Sequence, residues 1–260
     1  MGVPSGSLTV VGTGIQLGVH LTPQARAAIE QADEVLYLAA EPAAAAWVAG
    51  LNPSSRSLDV HYEPGRPRRD AYESMVEEIL AAVRAGREVC AAFYGHPGVF
   101  VAPAHEAIRR ARREGFEATM LPGISAEDCL FADLGLEPGR TGWQSYEGTD
   151  FLLHRRRPDT AALLILWQIS VIGRDDAVTG ADRSGLCILA EYLGRFYPPA
   201  HETIVYEASP YPVADPSVQR IPLAEVRGAE ITPLATLVVP PKRKPRRDLK
   251  MVDRLGLPRR

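Results

Sequence analysis

The run Phe93-Tyr94-Gly95-His96-Pro97-Gly98-Val99-Phe100 decides the fold, together with the stretch Glu88-Val89-Cys90-Ala91-Ala92 before it. The preceding stretch is continuously apolar after its first residue, which predicts a strand buried on both faces. Two glycines and a proline then end the strand and expose backbone at its carboxyl end, where open α/β sheets bind small molecules. A second loop of this kind follows at Leu121–Asp128. The two loops predict a cofactor pocket on an α/β scaffold, and therefore an enzyme.

The first half of the chain alternates between strand and helix patterns. A strand at Leu8–Val11, a helix at Pro23–Ala32 and a strand at Glu34–Leu38 form a βαβ unit. Apolar residues spaced by three and four predict an amphipathic helix across residues 72–83, and Ser125 and Asp128 have capping-box spacing. This alternation predicts a mostly parallel sheet.

The second half has consecutive strand patterns and only one long helix, across residues 186–196. The predicted strands are at residues 161–168, 203–206, 218–221 and 236–239. This pattern is typical of a mixed sheet. We therefore predict a two-domain α/β fold with an N-terminal α/β domain at 1–122, a C-terminal α/β domain at 123–242 and a basic tail at 243–260.

The composition is that of a soluble globular protein, with 46% hydrophobic and 23% charged residues. No signal-peptide pattern or membrane-length apolar run is evident, and the three cysteines lack CxxC spacing, so we expect a cytoplasmic protein without a zinc site. From Lys242 to Arg260 nine basic residues face two acidic ones, a local +7, whereas the rest of the chain carries about −10. A solvated extension is favoured over a nucleic-acid contact, because no aromatic residue interrupts the tail.

Two features near the predicted pocket have a structural and a functional interpretation. Gly12 opens a GxGxxxG run that either forms a turn or lets a ligand approach the backbone. His96 either holds its loop or contacts a ligand, and no second residue at helical spacing supports a metal site. The second strand has no acidic residue at its end and only a late one, Glu41, which disfavours an NAD-dependent oxidoreductase.

A third feature is the group Tyr62, Arg68 and Tyr72. Arg68 and Tyr72 are four residues apart at the start of a helix and share a face. A guanidinium beside a phenol favours the phenolate, so we expect a tyrosine pKa below its usual value of about 10. That pairing suits the removal of a reluctant proton or the orientation of a polar substrate; the alternative is a hydrated basic surface.

These loops, taken together, resemble those of the tetrapyrrole methylase family. The shared motifs are Gly12-Thr13-Gly14, Tyr94-Gly95-His96-Pro97-Gly98 and Pro122-Gly123-Ile124-Ser125-Ala126, in this order. The chain is most similar to the borosin peptide α-N-methyltransferases, from Arg68-Arg69-Asp70-Ala71-Tyr72 through Leu166-Trp167-Gln168 to Val239-Pro240-Pro241-Lys242. The resemblance implies a tetrapyrrole-methylase-like fold and use of S-adenosylmethionine to methylate backbone amides of a ribosomal precursor peptide.

The resemblance also assigns residues. Tyr62, Arg68 and Tyr72 match the catalytic group of that family, although Asp59 and His61 stand where some members have a further tyrosine. The residues that match the methyl-donor pocket are Gly12, Tyr94, His96, Val99, Phe100, Ser125, Ala126, Gln168, Tyr206, Ala208 and Thr236.

Partners follow from the same resemblance. Because residues 243–260 lack an apolar core, the chain resembles the split, bacterial type that acts on a separate precursor peptide, and a homodimer is expected. No nucleic-acid or membrane partner is expected. The main alternative is a small-molecule methyltransferase of the tetrapyrrole or corrinoid type, and a non-catalytic binding module of the same fold also stays open.

Overall fold

The computed structural model describes residues 5–175 and 183–258. Contacts divide the chain into two compact units. The first lies within Met1–Gly135, Arg174–Thr179 and Ala208–Pro216, and the second within Leu136–Gly173, Gly180–Glu207 and Ser217–Arg260. The boundary predicted between residues 122 and 123 falls before the end of the first segment, and as a domain boundary it stays a prediction.

The first unit contains a parallel five-stranded sheet. Its strands are β1 (Ser7–Gly12), β2 (Glu34–Leu38), β3 (Ser55–Ser57), β4 (Glu88–Phe93) and β5 (Glu117–Met120). They lie in the order β3-β2-β4-β1-β5, and every pair is parallel. The parallel N-terminal sheet predicted from the sequence is confirmed.

Helices connect these strands and cover both faces of the sheet. They are α1 (Pro23–Gln31), α2 (Pro42–Leu51), α3 (Arg68–Arg84), α4 (Ala102–Arg113) and α5 (Ala126–Leu134). Ala91 and Phe93 belong to the core that contains α3 and α4, whereas Cys90 and Ala92 belong to the core that contains α1 and α2. Because β4 is covered on both faces, its side chains after Glu88 are all buried, as the apolar run predicts.

The second unit contains a mixed sheet, again as predicted. Its strands are β6 (Trp143–Glu147), β7 (Leu163–Trp167), β8 (Glu202–Glu207), β9 (Ser217–Pro222) and β10 (Thr236–Val239), in the order β6-β7-β10-β8-β9. Only β6 and β7 pair in parallel. The helices of this unit are α6 (Gly148–Leu153), α7 (Arg183–Leu193) and α8 (Leu249–Arg254).

Part of the predicted tail is helical. Asp248 caps α8, because its carboxylate accepts hydrogen bonds from the backbone N–H groups of Lys250 and Met251 at 2.9 and 3.2 Å. Val252 is buried on the helix. The other described residues of the tail are exposed, and the interpretation of residues 243–260 as a solvated extension stays a prediction. Among the described residues, no helix has the length and apolar character needed to cross a bilayer.

Candidate active site

Three glycine-containing loops meet at the carboxyl edge of the first sheet. They follow β1, β4 and β5, and they are adjacent because β1 lies between the other two strands. Gly14 and Gly95 exchange backbone hydrogen bonds of 3.2 and 3.0 Å. A Cβ atom on Gly12 would overlap the carbonyl oxygen of Gly95, and one on Gly123 would lie 3.2 Å from Cα of Gly12. Gly12 is therefore required by the packing of its loop against the loop of Gly95. This supports the structural interpretation of Gly12 over a ligand contact.

The loop after β4 is braced by two histidines. The Nδ1 atom of His96 accepts a hydrogen bond of 2.9 Å from the backbone N–H of Gly98, and Nε2 of His105 lies 2.9 Å from the carbonyl oxygen of Gly98. A neutral His96 then carries its proton on Nε2. Beyond this brace, Val99 and Phe100 are 42% and 45% exposed. The loop thus has a fixed backbone and two exposed apolar side chains, which suits contact with a ligand or partner.

The loop after β5 ends in the predicted capping box. The Ser125 hydroxyl donates to Oδ2 of Asp128 at 2.7 Å and accepts from the Asp128 backbone N–H at 3.2 Å, and the Ser125 N–H donates to the same carboxylate at 2.7 Å. The Ser125 hydroxyl thus both donates and accepts a hydrogen bond within the helix cap. Ala126 follows at the first helical position, where the backbone N–H has no partner within the helix. A ligand contact here would therefore involve backbone rather than the serine hydroxyl.

The second unit brings together three of the predicted donor residues. Tyr206 in β8 is directly opposite Thr236 in β10, and both are buried. Gln168 follows β7, which pairs with β10 on its other side. Its φ of 56° lies in the left-handed region, an unusual and costly conformation for a residue with a side chain. Ala208, which follows β8, belongs by its contacts to the first unit.

The residues present fit a ligand such as S-adenosylmethionine. Oε1 of Glu127, in the first turn of α5, is buried and accepts no hydrogen bond from the described residues. A buried carboxylate oxygen without a donor is costly, so a bound partner is expected to supply one. S-adenosylmethionine carries hydroxyl and ammonium donors of the required kind. Within the second unit, the left-handed backbone of Gln168 is by itself a feature typical of functional sites.

The residues of the predicted catalytic group are neighbours within the first unit. A short 3₁₀ helix, Asp59–His61, leads into Tyr62, and Tyr72 lies in the second turn of α3. Their ring centroids are 6.4 Å apart in an edge-on arrangement, and both rings pack against the core formed with α3 and α4. The backbone N–H of Arg68 donates a 2.6 Å hydrogen bond to the carbonyl oxygen of Asp175. The loop and the helix therefore bring the two phenols together.

Tyr62 does not have the lowered pKa that a neighbouring guanidinium would produce. Burial raises the pKa of Tyr62 well above its usual value, and Tyr72 adds to this shift both by its charge and by a hydrogen bond. The positive charge of Arg68 acts in the opposite direction but is the smaller influence. The hydrogen bond with Tyr72 thus favours the protonated form of Tyr62. Tyr62 is thus a neutral phenol at physiological pH.

His61 has a different role from a further catalytic tyrosine. Its Nε2 atom lies 2.6 Å from Oε2 of Glu78 on α3, and Oε1 of Glu78 accepts a hydrogen bond of 2.6 Å from Arg56. These contacts connect the segment before Tyr62 to the helix that carries Tyr72. The sequence pattern gave no signal for them, because the partners are separated by 17 and 22 residues.

A pocket lies at the ends of β1, β2 and β4, beside α2. Its empty volume is about 420 Å³, including space open to solvent. The lining residues are mostly apolar or aromatic: Thr13, Gly14, Ile15, Leu17, Tyr37, Leu38, Ala39, Ala40, Glu41, Ala44, Trp47, Val48, Ala92, Tyr94 and Pro210. Tyr94 is the one predicted donor residue among them. The sequence singled out Glu41 only for a ribose contact and did not predict the other walls.

Comparisons with known proteins agree with this fold. A family model described as Tetrapyrrole (Corrin/Porphyrin) Methylases matches residues 7–208. The crystal structure of uroporphyrin-III C-methyl transferase from Thermus thermophilus complexed with S-adenyl homocysteine superposes with a TM-score of 0.62. Its sequence identity is 20%, and the match covers 90% of this chain and 92% of that one. At this identity the likeness concerns the fold.

Two curated fungal relatives are more similar in sequence. The methyltransferase/ribosomally synthesized cyclic peptide dendrothelin A precursor of Dendrothele bispora is 41% identical across 91% of this chain and 58% of its own length. A methyltransferase/ribosomally synthesized type I borosin cyclic peptide precursor of Coprinopsis marcescibilis is 40% identical across 92% and 63%, respectively. The chain thus spans about three-fifths of the length of these relatives. Both are named as methyltransferase and precursor in one chain, so they do not support the predicted split, bacterial type.

Proposed function

The chain belongs to the tetrapyrrole (corrin/porphyrin) methylase family, and on this basis we propose that it transfers a methyl group from S-adenosylmethionine to backbone amide nitrogens of a ribosomally made peptide. The observation that carries the proposal is the difference in identity between two kinds of relative. The methyltransferase/peptide precursors are about 40% identical across more than nine-tenths of the chain, whereas the uroporphyrin enzyme is 20% identical.

The chemistry that this reaction demands is specific. An amide nitrogen is a poor nucleophile, because its lone pair is delocalised into the carbonyl group. When bound, S-adenosylmethionine supplies an electrophilic methyl group on a sulfonium. The new bond joins the amide nitrogen to that carbon, the carbon–sulfur bond breaks with its electron pair left on sulfur, and the amide proton must leave. The protein therefore has to position the amide and manage one proton.

The two phenols support different roles in this step. Tyr62 remains protonated, because burial raises its pKa, so it serves as a hydrogen-bond donor and not as the base. We assign to the side-chain oxygen of Tyr72 the acceptance of the amide proton, with Arg68 as the neighbouring positive charge. The positions of the remaining donor residues stay predictions from the resemblance.

The substrate's connection to the enzyme is part of the test. The curated relatives carry enzyme and precursor in one chain. We therefore propose a peptide substrate without specifying whether it is fused to the enzyme or separate from it. The homodimer and the cytoplasmic location stay predictions. The alternative acceptor is a tetrapyrrole or corrinoid. Its support is the fold that the chain shares with the uroporphyrin enzyme.

The deciding experiment offers the purified protein both acceptors. S-adenosylmethionine labelled in its methyl group would be incubated with synthetic peptides that have apolar cores and, separately, with uroporphyrinogen III, and the intact protein would be analysed for label. We expect label on the peptides or on the chain itself, and none in the Tyr72→Phe variant. Label on the tetrapyrrole alone would replace the proposal with the alternative.

A further inference from the structure

The pocket beside α2 contains a carboxylate whose interactions are incomplete. The Tyr211 hydroxyl donates a hydrogen bond to Oε2 of Glu41. Oε1 of the same residue is buried and receives no hydrogen bond from any described residue. No Lys, Arg or His in the described ranges forms an ion pair with Glu41. Removing a carboxylate oxygen from water without a donor costs free energy, so this oxygen is expected to have a partner from outside.

The walls of the pocket indicate what kind of partner fits. Trp47 and Tyr37 provide aromatic rings, and Leu17 and Val48 provide apolar surface. Aromatic faces attract cations, and apolar walls favour a hydrocarbon stem. A ligand that combines a positive charge with such a stem satisfies both the walls and the carboxylate.

Only Oε1 of Glu41 is free to accept a hydrogen bond from a ligand, and this distinguishes between lysine and arginine as the basic side chain that fits. An arginine guanidinium binds a carboxylate best through both oxygens at once, but Tyr211 already engages Oε2. A lysine ammonium is a compact charge that needs only one acceptor, and its stem has four carbons. The pocket therefore favours an alkylammonium group over a guanidinium.

We propose that this pocket binds the side chain of a lysine in the peptide substrate, with Glu41 as the residue that pairs with its ammonium group. The inference rests on the proposed function, since the lysine would belong to the methylated peptide. Tyr94 is the one predicted donor residue that lines this pocket, and Thr13 and Gly14 of the pocket wall follow Gly12 directly. The lysine thus fixes where the peptide lies relative to the reacting amide.

The test measures binding without methyl transfer. The probes are Nα-acetyl-lysine N-methylamide and its neutral counterpart, capped norleucine, with binding followed by the NMR signal of the Trp47 indole N–H. We expect the capped lysine to bind about tenfold more tightly than capped norleucine, and Glu41→Gln to abolish this preference. Glu127→Gln is the matched control: it removes a second incompletely bonded glutamate, in the predicted donor loop, and should leave the preference intact.

A second variant guards against misfolding of the first. In Tyr211→Phe both oxygens of Glu41 become open, so capped lysine should still bind, and capped arginine should gain affinity relative to the wild type. Equal binding of lysine and norleucine by the wild type would overturn the proposal, as would an unchanged lysine preference in Glu41→Gln. Because no step depends on methylation, an enzyme that methylates peptides but fails here would lose only this inference.

Discussion

The hydroxyl groups of Tyr62 and Tyr72 are hydrogen-bonded to each other, and the two rings lie edge-on with their centroids 6.4 Å apart. The bond joins a half-buried phenol after a 3₁₀ helix to one on the first turns of α3. Burial raises the pKa of Tyr62 well above its usual value. Tyr62 therefore keeps its proton at physiological pH, and the proton acceptor that we propose is Tyr72.

The first prediction concerns Tyr72. Tyr72→Phe removes the proposed proton acceptor and keeps the ring, so methyl transfer should fall by about 10²- to 10⁴-fold. Donor affinity, measured by calorimetry with S-adenosylhomocysteine, should not change. Unchanged turnover in this variant would remove Tyr72 from the mechanism.

The second prediction concerns the effect of pH on Tyr62. Because the folded state raises the pKa of Tyr62, it favours the protonated form, and the resulting stability is fully present below the unfolded value of about 10. That stability is lost as the pH rises above this value. Urea unfolding between neutral pH and about pH 11 should therefore show a steeper alkaline loss of stability in the wild type than in Tyr62→Phe. Parallel curves for the two proteins would contradict the raised pKa.

The third prediction uses the left-handed backbone of Gln168. Gln168→Gly relieves the backbone strain but removes the side chain, so the protein should be at least as stable and should bind S-adenosylhomocysteine more weakly. Arg155 also has a positive φ, of 46°, and is not among the predicted donor residues. Arg155→Gly should relieve strain in the same way and leave donor affinity unchanged. Equal affinities for all three proteins would remove Gln168 from the donor site.

The fourth prediction tests the packing of the loops. Gly12→Ala places a Cβ atom against the carbonyl oxygen of Gly95 and should lower the melting temperature strongly. Gly50 lies in α2 with no atom within 4 Å of an added Cβ atom, so Gly50→Ala should stabilise the protein by up to about 1 kcal/mol. Thermal unfolding of both variants checks the pair. A stable Gly12→Ala protein would mean that this glycine serves a ligand instead of the adjacent loop.

Local patterns predicted the elements whose cause is local. The apolar run in β4 and the capping box at Ser125 were both predicted correctly. Burial on two faces requires consecutive apolar residues, and the cap requires a hydrogen-bonding residue three positions after Ser125, so both patterns are visible in the sequence. The short strand β3 was missed because its three residues are polar and only partly buried. The strand β6 was missed for a similar reason, since none of its residues is fully buried.

The chemistry of the candidate site depends on contacts between residues that are far apart in the sequence, which residue spacing does not reveal. Arg68 and Tyr72 were correctly placed on one helix, but the sign of the Tyr62 pKa shift depends on burial, which was not visible in the pattern. Likewise, Tyr211 and Glu41 are 170 residues apart, and only the folded chain joins them. The predicted donor residues on β8 and β10, and Gln168 after β7, were identified through family resemblance and not through their chemistry.

The central claim is methylation of a peptide backbone, and tandem mass spectrometry tests it most directly. The protein would be incubated with deuterium-labelled S-adenosylmethionine and an apolar peptide, and fragment ions of the peptide and of the chain itself would locate each added methyl group. We predict labelled methyl groups on backbone nitrogens, absent from the Tyr72→Phe reaction. Label confined to side chains, or no peptide label from a protein that binds the donor, would contradict the account.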